Sequence, residues 1–269
     1  MTDSTLINNK TAAFDHAANQ YDKQFTNSKI GQLQRSRVYQ ILTDSGFFSK
    51  PKNVFEINCG TGADAIYFSQ KGHKVTATDA SEKMIEIAKA KSNEYIHFYS
   101  LNFQDIAKDA NFKKSEVLFS NFGGLNCLSP AELNQFFSQI AQIQTKGNQI
   151  VLVVMSKKCL MEQLYFMLKG QWKKMNRRNT SDAVEVNWNG KSISTFYYFP
   201  KEMFRMLESN YQLTSLKPLA FFLPPSYLEP FFVKHPIGLK ILSWLENKVA
   251  NFKLFASRSD HYLLIAERL

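Results

Sequence analysis

The chain has little with which to staple itself or to cross a bilayer. Its three cysteines, Cys59, Cys127 and Cys159, are far apart in 269 residues, and none belongs to a CxxC pair or a cysteine and histidine cluster. That argues against a disulfide framework and a structural zinc site, and no metal is expected. No run approaches the roughly 18 uninterrupted apolar residues of a membrane-spanning helix. The opening "MTDSTLINNK" has no apolar signal-peptide core, so the expected compartment is cytoplasmic. Internal repeats and low-complexity linkers are also lacking. Acidic residues are in short supply, 23 against 33 lysines and arginines, which leaves a formal charge of +10. Such a surplus fits nucleic acid, a phosphorylated substrate, an acidic carrier protein or a lipid surface as partner, and equally fits lysines that only solvate helices.

What is present is enough apolar residue, 44% of the chain, to bury one sizeable core. Residues 1–50 read as a helical preface, because Ile30, Leu33, Val38, Ile41 and Leu42 recur at near-helical spacing before Gly46 and Pro51 break the pattern. From 51 to 156 strands and helices alternate. "NVFEIN", "HKVTATD", "YIHFYS", "SEVLFSN" and "NQIVLVVM" have strand character, the last so apolar that both of its faces should be covered. Between them lie the helices "ADAIYFSQK", "SEKMIEIAKAK" with Ser81 as N-cap, and "SPAELNQFFSQIAQIQTKG", where Ser129 and Glu132 form a capping box with Pro130 at the first helical position. The expectation is an α/β fold: a doubly wound, mostly parallel, seven-stranded sheet with helices on both faces. Residues 157–191 read as a basic helical insertion. Residues 192–269 return to the core through "SISTFYYF", "PKEMFRMLESN", "YQLTSLKPLAFF" and "DHYLLIAERL", interrupted by a second, aromatic-rich helical insertion at 224–256.

The turn after the first strand lies where open α/β sheets bind ligands. Gly60 and Gly62 let a ligand approach the backbone, and Asp79, ending the second strand, is placed to accept hydrogen bonds from both hydroxyls of a ribose. "GTGADA" also satisfies the dinucleotide pattern GxGxxA, so a nicotinamide oxidoreductase is one alternative. Three features point elsewhere: Glu56 inside the strand before the turn, the long preface, and "DASEKMIEIAKAK" after the second strand.

With "EINCGTG", that acid and helix, "LNFQD", and "FSNFGGLNCLS" after the fourth strand, the sequence resembles class I, Rossmann-like S-adenosylmethionine-dependent methyltransferases of the small-molecule type. The likeness covers about residues 10–155 and the final strands. It implies S-adenosyl-L-methionine as cofactor, with Glu56, Asn58, Cys59, Gly60 and Gly62 around its methionine part and Asp79 on its ribose. It further implies Ala80 and Met84 against the adenine, Asn102 and Phe103 at the adenine's amino edge, and Asn121 and Phe122 near the sulfonium and acceptor. Two departures stand out: Asn58 replaces the first glycine of the motif, and Asn102 stands where an acid is common. The preface "AFDHAANQYDKQF" is similar to that of small-molecule members in which a tyrosine covers the cofactor, which makes Tyr21 a candidate.

The activity so implied is methyl transfer to an O or N atom of a small, fairly apolar or aromatic acceptor. If the acceptor must lose a proton, His16, His235 and His261 are candidate bases. Aromatic residues of the two insertions are candidates for the acceptor pocket, and the amphipathic stretch around Ile241, Leu242, Leu245 and Val249 is a candidate for transient membrane-surface contact. The basic stretch from Lys157 to Arg178 leaves an RNA methyltransferase as an alternative, and a non-catalytic cofactor-binding partner protein as another.

Overall fold

A computed structural model describes residues 14–92, 95–188 and 190–269. Of the expected preface, residues 1–13 lie outside the described residues. Residues 14–21 are helical and run into a π-helical turn, Asp22–Thr26. Helix α1, Lys29–Asp44, follows, with the Ser28 hydroxyl accepting from the Gly31 N–H as its cap; its apolar stripe buries Ile30, Val38, Ile41 and Leu42.

The alternation then proceeds through β1 (Asn53–Ile57), α2 (Ala63–Gln70), β2 (Lys74–Asp79), α3 (Glu82–Lys91), β3 (His97–Ser100), β4 (Val117–Ser120), α4 (Pro130–Ile143) and β5 (Gln149–Met155). Both anticipated caps form: Ser81 accepts from Met84, and Ser129 and Glu132 complete a capping box. After β5 come α5 (Leu160–Leu168), a hairpin of β6 (Val184–Trp188) and β7 (Lys191–Thr195), α6 (Pro200–Leu207), β8 (Tyr211–Leu219), α7 (Glu229–Lys234), α8 (Pro236–Val249) and β9 (His261–Arg268).

Seven strands form one sheet in the order β3-β2-β1-β4-β5-β9-β8. β1 to β5 are parallel, and β9 runs antiparallel between β5 and β8. One face is covered by α1, α2 and α3, through Val38, Phe68 and Ile85; the other is covered by α4 and α6, through Leu133, Phe137 and Met203. Ile150 to Val154 of β5 are buried on both faces, which is why that strand carries no polar alternation. The order reverses between β1 and β4, and open α/β sheets leave a crevice at such a switch point, outside the carboxyl ends of the strands.

Two expectations fail. "SISTFYYF" does not rejoin the core sheet: among the described residues β7 pairs only with β6, through Val184↔Thr195 to Trp188↔Lys191. The first insertion is therefore helical over α5 and a short 3-10 helix, Trp172–Lys174, and then becomes a hairpin. The reason is local: "VEVNW" alternates with period two, and the turn is tied by Gly190, at φ 82°, donating its N–H to Asn187 Oδ1 at 3.1 Å.

Candidate active site

At the end of β1 the chain reverses through a tight turn in which Asn58, Gly60 and Gly62 have φ of 49°, 54° and 79°. The glycines take this left-handed conformation without strain, and asparagine is the side chain that best tolerates it after glycine. Asn58 spans the gap to β4: its amide donates to the Asn121 carbonyl at 3.0 Å, and its Oδ1 accepts from the Ser120 hydroxyl at 2.9 Å. A Cβ on Gly124 would meet Asn58 Cγ at 2.1 Å, so the second glycine of "NFGG" makes room for the side chain that replaces a motif glycine. Gly62 has a different task. A Cβ there would come within 2.9 Å of Ala88 and 3.0 Å of Phe98, so this glycine lets α3 close on the turn.

Asp79, at the tip of β2, accepts the Gly60 N–H at 2.8 Å on one oxygen and the Ser81 N–H at 2.9 Å on the other. Each oxygen keeps a second lone-pair direction. Burial pushes this carboxyl above its usual range, while the same two N–H groups pull it back toward the ionised form.

Beside Asp79 lies a cavity of about 290 Å³ at the carboxyl edge of the sheet. Tyr21, Asn58, Gly60, Asp79, Ala80, Met84, Asn102, Phe103 and Phe122 all line it. The Tyr21 ring stacks on Phe25 and covers Gly60, whose missing Cβ would lie 3.6 Å from it; burial pushes the Tyr21 hydroxyl up to about 12.

Glu56, Cys59, Gly62 and Asn121 stand behind this wall, not in it. Glu56 is turned inward by the pleat of β1 and is 1% exposed, with Oε2 lacking a hydrogen bond; burial and then the Asp64 charge raise its carboxyl well above the usual range. Burial likewise raises the Cys59 thiol, which leaves it no nucleophile. Asn121 donates to Asp64 at 3.0 Å and accepts the Phe122 N–H at 3.0 Å.

The histidines separate cleanly. His16 and His235 are exposed and line no part of the cavity, the latter's ring lying tilted against Phe231 at 4.5 Å. His16 falls on the outer side of its helix, beside the inward-facing Ala17 and Ala18, and His235 sits in the link between α7 and α8. His261, the first residue of β9, is buried and faces the cavity. Its Nδ1 lies 3.2 Å from Asp260 Oδ2, close but not aligned as a hydrogen bond, and its ring meets Phe122 edge to face at 5.5 Å. Phe122 itself has φ 42°, an uncommon conformation for an aromatic residue and a form of strain that concentrates at functional sites.

Two groups in the wall carry no sequence signal for their place there. Arg35, in the middle of α1, pairs with Asp64, sits over the Phe122 ring at 5.1 Å and leaves its buried Nε without a partner. Arg177 and Arg178 fold inward onto Glu162, both forked, and Arg178 also pairs with Asp260 at 2.9 Å. Tyr227 closes the cluster by donating to Glu162 at 2.9 Å. Only contact between sequence-distant segments brings these groups together, so spacing could not reveal them. Among the described residues no cluster of histidine, cysteine or carboxylate could hold a metal ion.

The space fits an adenosine ligand with an amino-acid tail. Asp79 offers two outward lone pairs for vicinal hydroxyls, Met84 and Phe103 offer apolar walls for a base, and the unpartnered Arg35 Nε offers a buried donor for a carboxylate.

Residues 54–147 match the family model of a methyltransferase domain. A malonyl-[acyl-carrier protein] O-methyltransferase of Salmonella typhimurium is 25% identical over 168 residues, 62% of this chain and 59% of that protein. Another, of Hamiltonella defensa, is 34% identical over 87 residues, 31% of each chain. The chain spans about half the length of the curated relatives it matches. Its fold is that of magnesium protoporphyrin IX methyltransferase from Synechocystis, solved with bound S-adenosylhomocysteine, at a TM-score of 0.57, 13% identity and 97% and 96% coverage of the two chains. It is equally that of the Burkholderia thailandensis 1,6-didemethyltoxoflavin-N1-methyltransferase, at a TM-score of 0.58, 13% identity and coverage of 100% of this chain and 90% of the other.

Proposed function

We propose that this chain, which has the class I methyltransferase fold and a methyltransferase domain at residues 54–147, transfers a methyl group from S-adenosylmethionine to an O or N atom of a small, largely apolar acceptor. The observation that carries the proposal is the cavity at the switch point of the sheet, where Asp79, the glycine turn, Met84 and Phe103 meet Phe122 and His261. When bound, the cofactor supplies a sulfonium methyl that is already electrophilic.

Most of the protein's work is then positional: holding the acceptor in line and keeping water out. Asp79 holds the ribose hydroxyls, Ala80 and Met84 pack against the adenine, and Asn102 and Phe103 border its edge. Arg35 receives the carboxylate, its own charge being balanced by Asp64. Tyr21 and Phe122 close over the reacting centre, where an aromatic face attracts a cation. Glu56, Cys59, Gly62 and Asn121 hold this arrangement from behind.

Among the three candidate histidines, His261 is the one in the cavity wall, and it takes up the proton of an O–H or N–H acceptor. Asp260 stands beside Nδ1, its Oδ2 at 3.2 Å. RNA as acceptor is less well supported, because Arg177 and Arg178 are engaged with Glu162 and Lys157 with Glu202 at 2.6 Å.

The test is calorimetric titration of the chain with S-adenosylhomocysteine, followed by incubation with labelled cofactor and cell extract to find what becomes heavier. Binding without any labelled product would make the chain a cofactor-binding partner, not an enzyme. Once an acceptor is known, His261→Gln is expected to lower kcat by about 10² or more with cofactor affinity unchanged. An unaltered rate would remove His261 from the chemistry.

A further inference from the structure

Fourteen large hydrophobic side chains are exposed among the described residues, and all but Tyr95 and Leu269 belong to the two insertions. The pattern is sharpest on α8. Ile237, Ile241 and Trp244 recur at i, i+4 and i+7 and are 73%, 54% and 59% exposed, while Leu239 and Glu246 on the other side are buried. Lys240 and Lys248 are exposed on that same outward side. Just beyond the helix, Phe252, Lys253 and Leu254 are all exposed, and in the first insertion Leu168 and Trp172 stand out among Lys169, Lys173 and Lys174.

The charges are arranged one way. Residues 224–256 hold four lysines and two carboxylates, and both carboxylates are withdrawn: Glu229 accepts the N–H groups of Lys29 and Ile30 at 2.7 and 2.9 Å, and Glu246 accepts that of Phe222 at 2.7 Å. The outward face of α8 therefore offers apolar side chains and lysines with no carboxylate among them. The two insertions join beside the cavity. Tyr165 meets Tyr227 at 6.3 Å, and Arg177 lies over both Phe166 and Tyr227; Arg177 and Tyr227 line the cavity.

We infer that this face docks on an anionic lipid bilayer, and that the acceptor reaches the cavity from there as an amphiphile. Only the second half rests on the methyltransferase proposal. The apolar tips enter the headgroup boundary, the indole of Trp244 sits at the interface, and the lysines reach anionic headgroups along their flexible stems. A protein partner is a poorer fit. A protein interface centres on aromatic anchors seated in pockets, whereas the most exposed apolar residues of the two insertions, Leu168 at 82% and Leu254 at 80%, project from a helix end and a short 3-10 helix. No helix among the described residues is long and apolar enough to cross a membrane, so the contact is with the surface.

The experiment is flotation of the full chain with vesicles of phosphatidylcholine alone and of phosphatidylcholine containing phosphatidylglycerol, with tryptophan emission recorded on the same samples. The chain is expected to float with the anionic vesicles, to leave the neutral ones and to shift its emission to the blue. The pair Ile241→Ser with Trp244→Ser, and separately Lys240→Glu with Lys248→Glu, should each weaken binding about tenfold or more. Thermal midpoints and S-adenosylhomocysteine binding, measured on all three proteins, should match. Absence of flotation, equal flotation with neutral vesicles, or variants that float like the parent would overturn the inference. So would self-association, or capture of an acidic carrier protein, abolished by the same substitutions in a chain that ignores vesicles. A parent chain that floats but binds no S-adenosylhomocysteine would sink the methyltransferase proposal and leave the docking intact.

Discussion

A carboxylate that already accepts two backbone N–H groups has only its outward lone pairs left for a ligand, and Asp79 is in that position. Asp79→Asn keeps the volume but removes the charge and turns one acceptor into a donor that would face the Gly60 or Ser81 N–H. S-Adenosylhomocysteine binding is expected to weaken by about 10-fold to 100-fold, with a lower thermal midpoint as the Gly60 turn loosens. Calorimetry and a melt on the same sample check both. A variant that melts lower yet binds as tightly would make Asp79 a brace for the turn and nothing more. The sequence exposed this residue because an acid at the end of a second strand is a local signal. It also exposed the glycines, though with their tasks merged: Gly60 faces the cavity, whereas the missing Cβ of Gly62 serves the packing of α3. Asn58 looked like a defect in the motif and is a cross-tie to β4, legible only with Gly124 opposite it. Arg35 was illegible, since a charged residue within an amphipathic helix has no signature until the fold shows what it faces.

At the level of elements, period-two and period-3.6 patterns located β1 to β5, α1 to α4 and the final strands, because each of these buries one defined face or two. The hairpin β6–β7 was misplaced because it lies apart from the core sheet: β7 reads as a strand, but as one returning to the core, and β6 falls in the segment read as helical. Its one strong signal, the Asn-Gly pair at 189–190, was available in the sequence. The hairpin matters because the paired Val186 and Ile193 both line the cavity, as a wall contributed by the insertion. Val186→Trp would narrow that side only. The expected outcome is an acceptor KM raised about tenfold or more with S-adenosylhomocysteine affinity unchanged, measured by steady-state kinetics and calorimetry. Parallel loss of both would place the hairpin over the cofactor instead of the acceptor.

Across the whole molecule, buried carboxyls pull stability in opposite directions with pH. Asp260 and Glu162 are held below their usual range: burial alone would raise them, but His261 and Arg178 hold Asp260 down, and Arg178 and Arg177 hold Glu162 down. Their stabilisation is complete above the unfolded-state values of 3.8 and 4.5 and is lost as pH falls through the lower folded-state values. Glu56 and Asp79 have raised folded-state values, chiefly through burial, so they bind protons more readily folded than unfolded, and their contribution grows as pH falls from neutrality. Scanning calorimetry should therefore find these four groups sustaining the thermal midpoint on mild acidification and then letting it drop steeply below about pH 4. Asp260→Asn isolates one term. At neutral pH it leaves Arg178 buried against Glu162 alone and is expected to cost about 3 kcal/mol, whereas as pH falls below the unfolded-state value of 3.8 toward the lower folded-state value the parent loses the advantage of its charged Asp260 and the two melts should draw together. A gap that stays constant across the acid range would mean that Asp260 acts through packing, and that its charge does not hold the cavity wall around His261.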